Sequence, residues 1–321
     1  MSVKDIMHNP YLFSHTIRMC TAICLNNLFG RTLDHHQGYG EQVAISPRKM
    51  PFSFRALPEM SDHYAIIGMA TAAKGVPLYY DGFNEKGLFM AGLLFAGNAV
   101  YLPRSEERYN VTPYELIPWI LGQCPDLRSA KALLGRVNLW EEPFSSDLPL
   151  SPLHWIIADQ SGALTLEPTA KGLAVYENPV GILANNPPFD YQMLHLADYL
   201  NLTAEYPADR FTEQGILRPY SRGMGAMGLP GDWSSSSRFV RAAFAKEHLI
   251  GTDVSSFFHL MDTVAVPKGV ALSQEGEPIF TRYTCCCDPA RGNYYYTTYE
   301  DRRISAVALS SNGTDPLFYP L

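Results

Sequence analysis

Absent from the 321 residues is any apolar run of the ~20 residues that a membrane-spanning helix needs. Residues 1–18, MSVKDIMHNPYLFSHTIR, lack both a continuous apolar core and a small-residue cleavage site, so they do not form a secretory signal. No block of lysine and arginine with interleaved aromatics occurs, and the formal net charge is −7, which argues against nonspecific nucleic-acid binding. No C-x-x-C faces a second one or a spaced histidine pair, so the ligand pattern of a structural zinc site is missing. The six cysteines are Cys20, Cys24, Cys124, Cys285, Cys286 and Cys287, and three in a row cannot all join a regular disulfide framework. That usage suggests a reducing compartment. Together these absences predict a soluble cytoplasmic protein with no membrane and no nucleic-acid partner.

What is present is an ordinary globular composition, 46% hydrophobic and 18% charged, in a chain long enough to bury a large core. Strand patterns open it: 21–25, 28–33, 42–46, 64–70 and 87–95, with Asn26-Asn27 as a tight hairpin turn and DGFNEKG (81–87) as a turn. Thr112-Pro113-Tyr114-Glu115 has the form of a capping box opening a helix over 115–124, and Asp126 caps a second over 127–137. HWIIAD, ALTLEP, LAVYEN and VGILAN (154–185) read as a four-strand antiparallel meander. Helices are predicted over 191–202, 236–250 and 252–265, and strands over 282–288, 293–299 and 303–310. Strands and helices come in blocks, which favours an α+β fold of antiparallel sheets over a βαβ repeat. Gly223 to Gly228 has the spacing of a dinucleotide-binding loop but precedes a Pro-Gly turn instead of opening a helix.

Candidate chemistry centres on Met19-Cys20. Free cysteine is commonly a small buried residue, and Cys20 is open to that explanation. A cysteine nucleophile needs a base, because a free thiol titrates near ~8.5. None of the nine histidines sits in a cysteine-hydrolase signature, and adjacent His35 and His36 point to opposite faces of a strand. The α-amino group offers another base: if Cys20 is residue one, an amine titrating near ~7.7–8.0 lies beside the thiol. Residues 1–19 are then a leader, a propeptide or a mis-called start, and 20–321 form one catalytic domain. A chain that keeps them would be a non-catalytic binding descendant with a blocked amine.

Met19-Cys20-Thr21-Ala22-Ile23 followed by Phe29-Gly30-Arg31-Thr32-Leu33-Asp34 resembles the start of the choloylglycine hydrolase family, the bile salt hydrolases and penicillin V acylases. Four further blocks follow in the family's order. They are Asp81 to Leu88 with Ala91-Gly92-Leu93; Gly181 to Pro187 with Phe189-Asp190-Tyr191; Gly228 to Asp232 with Ser237-Arg238-Phe239; and Tyr294 to Tyr299. The resemblance implies a four-layer αββα sandwich with antiparallel sheets, the N-terminal nucleophile hydrolase fold. It implies Cys20 as nucleophile and, through its amine, as base. Arg31 and Asp34 would flank the thiol, Asn185 would donate to the oxyanion, and Arg238 would stabilise charge around the nucleophile. It further implies a small-molecule N-acyl amide substrate, a glycine- or taurine-conjugated bile acid ahead of penicillin V, with no cofactor, no metal and a homo-tetrameric assembly.

The chain departs from the family in its extension before Met19 and in a shorter hairpin between Cys20 and Arg31. It departs again at Leu94, where bile salt hydrolases commonly carry Asn and penicillin V acylases Tyr. Leu33, Ala73, Tyr80, Leu94, Phe144 and Leu148 match positions that line an apolar acyl pocket in the family. Cys285 and Cys287 would share one strand face, and Tyr294 to Tyr296 reads as a strand packed on both faces.

Overall fold

A computed structural model describes residues 19–146 and 148–321, and the leader expected over 1–18 lies outside them. The first hairpin sets the architecture. Strands β1 (Met19–Leu25) and β2 (Leu28–His35) pair antiparallel through Asn26-Asn27, and Asn26 takes the left-handed conformation, φ 52°, that asparagine tolerates. Cys20 lies opposite Leu33, Ala22 opposite Arg31, and Thr21 opposite Thr32. Side chains alternate between faces along a strand, so Cys20, Arg31 and Leu33 share one face while Thr21, Thr32 and Asp34 share the other.

This hairpin is part of a seven-stranded sheet. Its order is β13 (Ile182–Leu183), β1, β2, β15 (Pro278–Asp288), β16 (Asn293–Thr298) and β17 (Ser305–Ala308), with β14 (Ala271–Leu272) on β15. The second sheet has nine strands. They run β12 (Gly172–Glu177), β11 (Gly162–Thr169), β10 (Leu153–Asp159), β7 (Phe89–Leu94), β6 (Asp81–Asn84), β4 (Ile66–Ala73), β3 (Glu41–Ser46) and β18 (Leu317–Pro320), with β5 (Val76–Tyr79) on β4. The sheets face each other across an apolar layer in which Phe29 stacks on Phe89, ring centroids 5.5 Å apart. Helices α4 (Ser235–His248) and α5 (Val254–Asp262) cover the first sheet, and α1 (Leu116–Gln123) and α2 (Leu127–Leu134) cover the second over a core that includes Trp155 and Ile120. The chain is therefore an αββα sandwich, as expected. A short parallel pair, β8 (Tyr109–Val111) with β9 (Val137–Leu139), and helix α3 (Phe189–Leu196), packed on α4, complete it.

Local chemistry moved several boundaries. Asp126 makes a full capping box with Ser129, but Gly135 ends α2 and Val137 already belongs to a strand. The box at Thr112 is half formed: Glu115 accepts from Thr112 N–H at 3.2 Å, the Thr112 hydroxyl has no partner among the described residues, and α1 starts at Leu116. The meander has three strands, because 182–183 crosses to the other sheet to pair with β1. Asp81–Asn84 is a buried strand, and only the residues after it turn. No helix among the described residues is long and apolar enough to cross a membrane.

Gly30 is where the first sheet depends on a missing side chain. A Cβ there would lie 2.0 Å from the Cys285 carbonyl oxygen and 2.9 Å from the Phe257 ring. Gly30→Ala should therefore cost roughly 3 kcal/mol or prevent folding, read by urea unfolding, since β2 cannot move off β15 without displacing Arg31. A variant of wild-type stability would contradict this packing.

Candidate active site

Strand alternation distributes the polar side chains around Cys20 on two faces of the first hairpin. On the face between the sheets, Arg31 Nη2 donates to Cys20 Sγ at 2.6 Å. The rest of the guanidinium is tied to backbone: Nε donates to the Thr32 carbonyl at 3.1 Å, and Nη1 to the carbonyls of Tyr80 and Gly92. On the helix face, Arg238 reaches in from α4. Its Nη1 donates to the Cys20 carbonyl at 2.6 Å and to the Thr21 hydroxyl, and its Nη2 to Asn185 Oδ1 at 3.0 Å. Asp34 lies on that same face, 4.0 Å from Arg238, and accepts from Thr281 Oγ1 at 2.6 Å.

Asn185 joins the two strands of this network at the end of β13. Its Oδ1 accepts from Cys20 N at 2.7 Å as well as from Arg238, and its Nδ2 donates to the Leu94 carbonyl at 2.8 Å. Two donors on one atom and an acceptor on the other leave only one orientation for the amide. One Nδ2 hydrogen remains for a further acceptor.

Both arginines are buried, so their charge must be balanced locally. Burial pulls the Arg31 guanidinium down, but the acidic neighbours Cys20, Tyr283, Asp81 and Cys285 outweigh it and hold it above its usual range. Burial lowers Arg238, with Asp34 and Cys20 opposing. Asp34 is pushed up to about 6 by burial, against the pull of Arg238, Thr281, Thr32 and Arg31.

A cavity of about 360 Å³ opens beside the thiol. Of the residues expected to line an acyl pocket, Leu33, Tyr80, Leu94, Phe144 and Leu148 line it, together with Cys20 and Arg31. Ala73 does not: it sits at the turn end of β4, paired with Val76, one alternation beyond the lining residue Thr71. His35 and His36, expected on opposite faces of a strand, instead stack on each other at 4.3 Å because β2 ends at His35, and neither lines the cavity. The sequence reading had no role for Asp81, Tyr283, Tyr294, Thr32 or Thr281, which hold the network together from behind. Asp81 belongs to one of the motif blocks, in a stretch whose composition is that of a turn but which forms a buried strand.

A buried cysteine on the first strand of an αββα sandwich, with one arginine on its thiol and a second on its carbonyl, is the frame of an N-terminal nucleophile hydrolase. The model of the linear amide C–N hydrolases, choloylglycine hydrolase family, matches residues 20–316. A bile salt hydrolase/transferase from Lactiplantibacillus plantarum is 46% identical over 314 residues, covering 94% of this chain and 97% of its own length. One from Clostridium perfringens is 33% identical over 314 residues, covering 92% of this chain and 94% of its own length. The crystal structure of a mutant conjugated bile acid hydrolase from Clostridium perfringens matches with a TM-score of 0.88 at 31% identity, covering 94% of this chain and 97% of that one. A penicillin V acylase from Agrobacterium tumefaciens matches at 0.69 and 19% identity, over 93% of this chain and 90% of that one, a likeness of fold alone. The chain belongs to the choloylglycine hydrolase family and is a linear amide C–N hydrolase.

Asp34 gives a pH test of the buried network. The folded carboxyl holds its proton to about 6, whereas 3.8 is its ordinary value. Between those values the folded state binds more protons than the unfolded one, so Asp34's contribution to stability falls as pH rises. Asparagine cannot titrate there. From pH 4 to 6.5, urea unfolding should show the stability difference moving in favour of Asp34→Asn by on the order of 2–3 kcal/mol. Movement in the opposite direction would contradict the burial of this carboxylate.

Proposed function

We propose that this chain hydrolyses the amide of glycine- and taurine-conjugated bile acids through a thioester on Cys20, acting once residues 1–19 are removed and Cys20 is residue one. The observation that carries the reading is the double engagement of one residue: Cys20 N meets Asn185 Oδ1 at 2.7 Å while its Sγ meets Arg31 at 2.6 Å. Freed of Met19, that nitrogen becomes an amine beside the thiol and inside a hydrogen-bonded frame.

The steps follow from these positions. The amine takes the thiol proton, and Sγ attacks the amide carbon. The carbonyl oxygen becomes an oxyanion beside the spare Nδ2 hydrogen of Asn185. Leu94 supplies a second donor from its backbone, because the N–H and C=O of a strand residue face the same side and its C=O already faces Asn185. One such donor typically contributes ~3–4 kcal/mol to the transition state. The amine's added proton passes to the leaving glycine or taurine nitrogen as the C–N bond breaks. Water then attacks the thioester, gives a proton to the amine, and releases the free acid as the thiol reforms. Arg31 stabilises the negative charge that develops on Sγ, and Arg238, held on the Cys20 carbonyl, adds positive charge close to the nucleophile.

The substrate class rests on the cavity and on the relatives' names. Its volume falls within the ~300–1,000 Å³ range of small-molecule sites, and Leu33, Leu94, Phe144 and Leu148 give it apolar walls that suit a steroid. Leu94 offers neither the amide nor the phenol that the resemblance associates with the two substrate types, so its contribution is wall and backbone. The same reading takes the chain as a cytoplasmic homo-tetramer, for which the exposed Leu200, Phe211 and Tyr220 supply apolar surface.

Parallel assays with taurocholate, glycocholate and penicillin V test the substrate. We expect kcat/KM for a bile salt to exceed that for penicillin V at least ~10-fold; the reverse preference would overturn the assignment. Cys20→Ser tests the nucleophile: hydrolysis should fall by ~10³-fold or more with the circular dichroism spectrum unchanged. Near-normal turnover would contradict it.

A further inference from the structure

Two buried arginines surround Cys20. Arg238 has Asp34, on the helix face of the hairpin. Arg31, on the face between the sheets, forms no direct ion pair with a carboxylate among the described residues; its donors go to three backbone carbonyls and the thiol. A buried cation without a counter-charge is strongly unfavourable.

Behind Arg31 lies Asp81, fully buried in β6. Its Oδ2 accepts from the Tyr283 hydroxyl at 2.6 Å and its Oδ1 from the Tyr294 hydroxyl at 2.6 Å. The Cys285 thiol approaches Oδ1 at 3.6 Å, and the same sulfur accepts from Arg31 N at 3.4 Å. Burial and the adjacent carboxylate push both phenols well above their usual range, so they keep their protons and donate. Burial raises the Asp81 carboxyl, and the Arg31 guanidinium is the first influence opposing it. Tyr283 reaches this point because β15 bulges against β2: the register shifts between Thr281 and Tyr283, and Tyr283 then lies opposite Leu33. Asp81 also immediately follows Tyr80, whose carbonyl holds Arg31 Nη1. Neither phenol lines the cavity, so this cluster serves the site from outside it.

We propose that Asp81 is a positioning residue for the hydrolysis: anchored by Tyr283 and Tyr294, its carboxylate holds the Arg31 guanidinium on Cys20 Sγ by charge at a distance. Without it, Arg31 has no anion behind it, leaves the thiol, and the thiolate loses its nearest cation. The proposal rests on the reading of Cys20 as the nucleophile, so its test includes a readout that does not need turnover.

That readout is the rate at which iodoacetamide alkylates Cys20 in the full chain as isolated, followed by peptide mass. Asp81→Asn should slow alkylation ~10-fold or more and lower kcat by a similar factor, with KM within ~3-fold of wild type. In an Arg31→Leu background the same change should alter alkylation by less than ~2-fold, because the two residues act in series. Tyr294→Phe keeps the carboxylate and removes one anchor; it should slow alkylation ~3-fold, and it decides the matter if Asp81→Asn fails to fold. An unchanged or faster alkylation rate in folded Asp81→Asn, equal losses in the two backgrounds, or an unchanged rate in Tyr294→Phe would overturn the proposal. If alkylation follows the predicted pattern while Cys20→Ser retains turnover, the nucleophile reading fails and the positioning geometry stands.

Discussion

The contact between Arg31 Nη2 and Cys20 Sγ is the interaction around which the rest of the molecule is arranged. A guanidinium buried to 1% exposure requires every donor to be satisfied and its charge to be balanced. Backbone carbonyls from three different strands or strand ends, at Thr32, Tyr80 and Gly92, take its donors. The carbonyls of Tyr80 and Gly92 are in reach only because the two sheets face each other at this point. The sandwich is thus what fixes the direction of the guanidinium.

The second arginine depends on the same hairpin seen from its other face. Arg238 sits on α4 at a position where the helix lies over β1, and it gathers the Cys20 carbonyl, Thr21 and Asn185. One residue, Cys20, is therefore held by its sulfur from one side and by its backbone from the other. Such a frame is pre-set before any substrate arrives, which is the condition under which fixed donors and charges lower a barrier most effectively. The apolar cavity adjoins the sulfur side, where Arg31 lines it, while Arg238 and Asp34 lie on the opposite face of the strand pair.

Much of this was legible in the chain. Cys20, Arg31, Asp34, Asn185 and Arg238 were found because each stands in or beside a motif block, and all five meet in one network. The α+β class with antiparallel sheets followed from strands and helices arriving in blocks, and the αββα layering from the resemblance to the family. The misses have physical causes. Asp81 was read as part of a turn because Asp-Gly and Asn-Glu-Lys-Gly are turn-like in composition, whereas the pairing of β6 with β4 and β7 overrides that preference. VGILAN looked like a meander strand because local pattern cannot say which sheet a strand joins. Ala73 was placed in the pocket although the β4–β5 turn carries it past the cavity. The phenols of Tyr283 and Tyr294 were invisible as partners of Asp81, since contacts across more than 200 residues have no local signature.

The central claim is that the working protein presents the amine and the thiol of Cys20 together. The most direct test is the N-terminal mass and sequence of protein purified on the basis of amide-hydrolysing activity. The account predicts that every active molecule begins at Cys20, with residues 1–19 gone. Active protein in which Met19 is still joined to Cys20 would contradict it, because the nitrogen facing Asn185 would then be a peptide N–H with no capacity to accept the thiol proton.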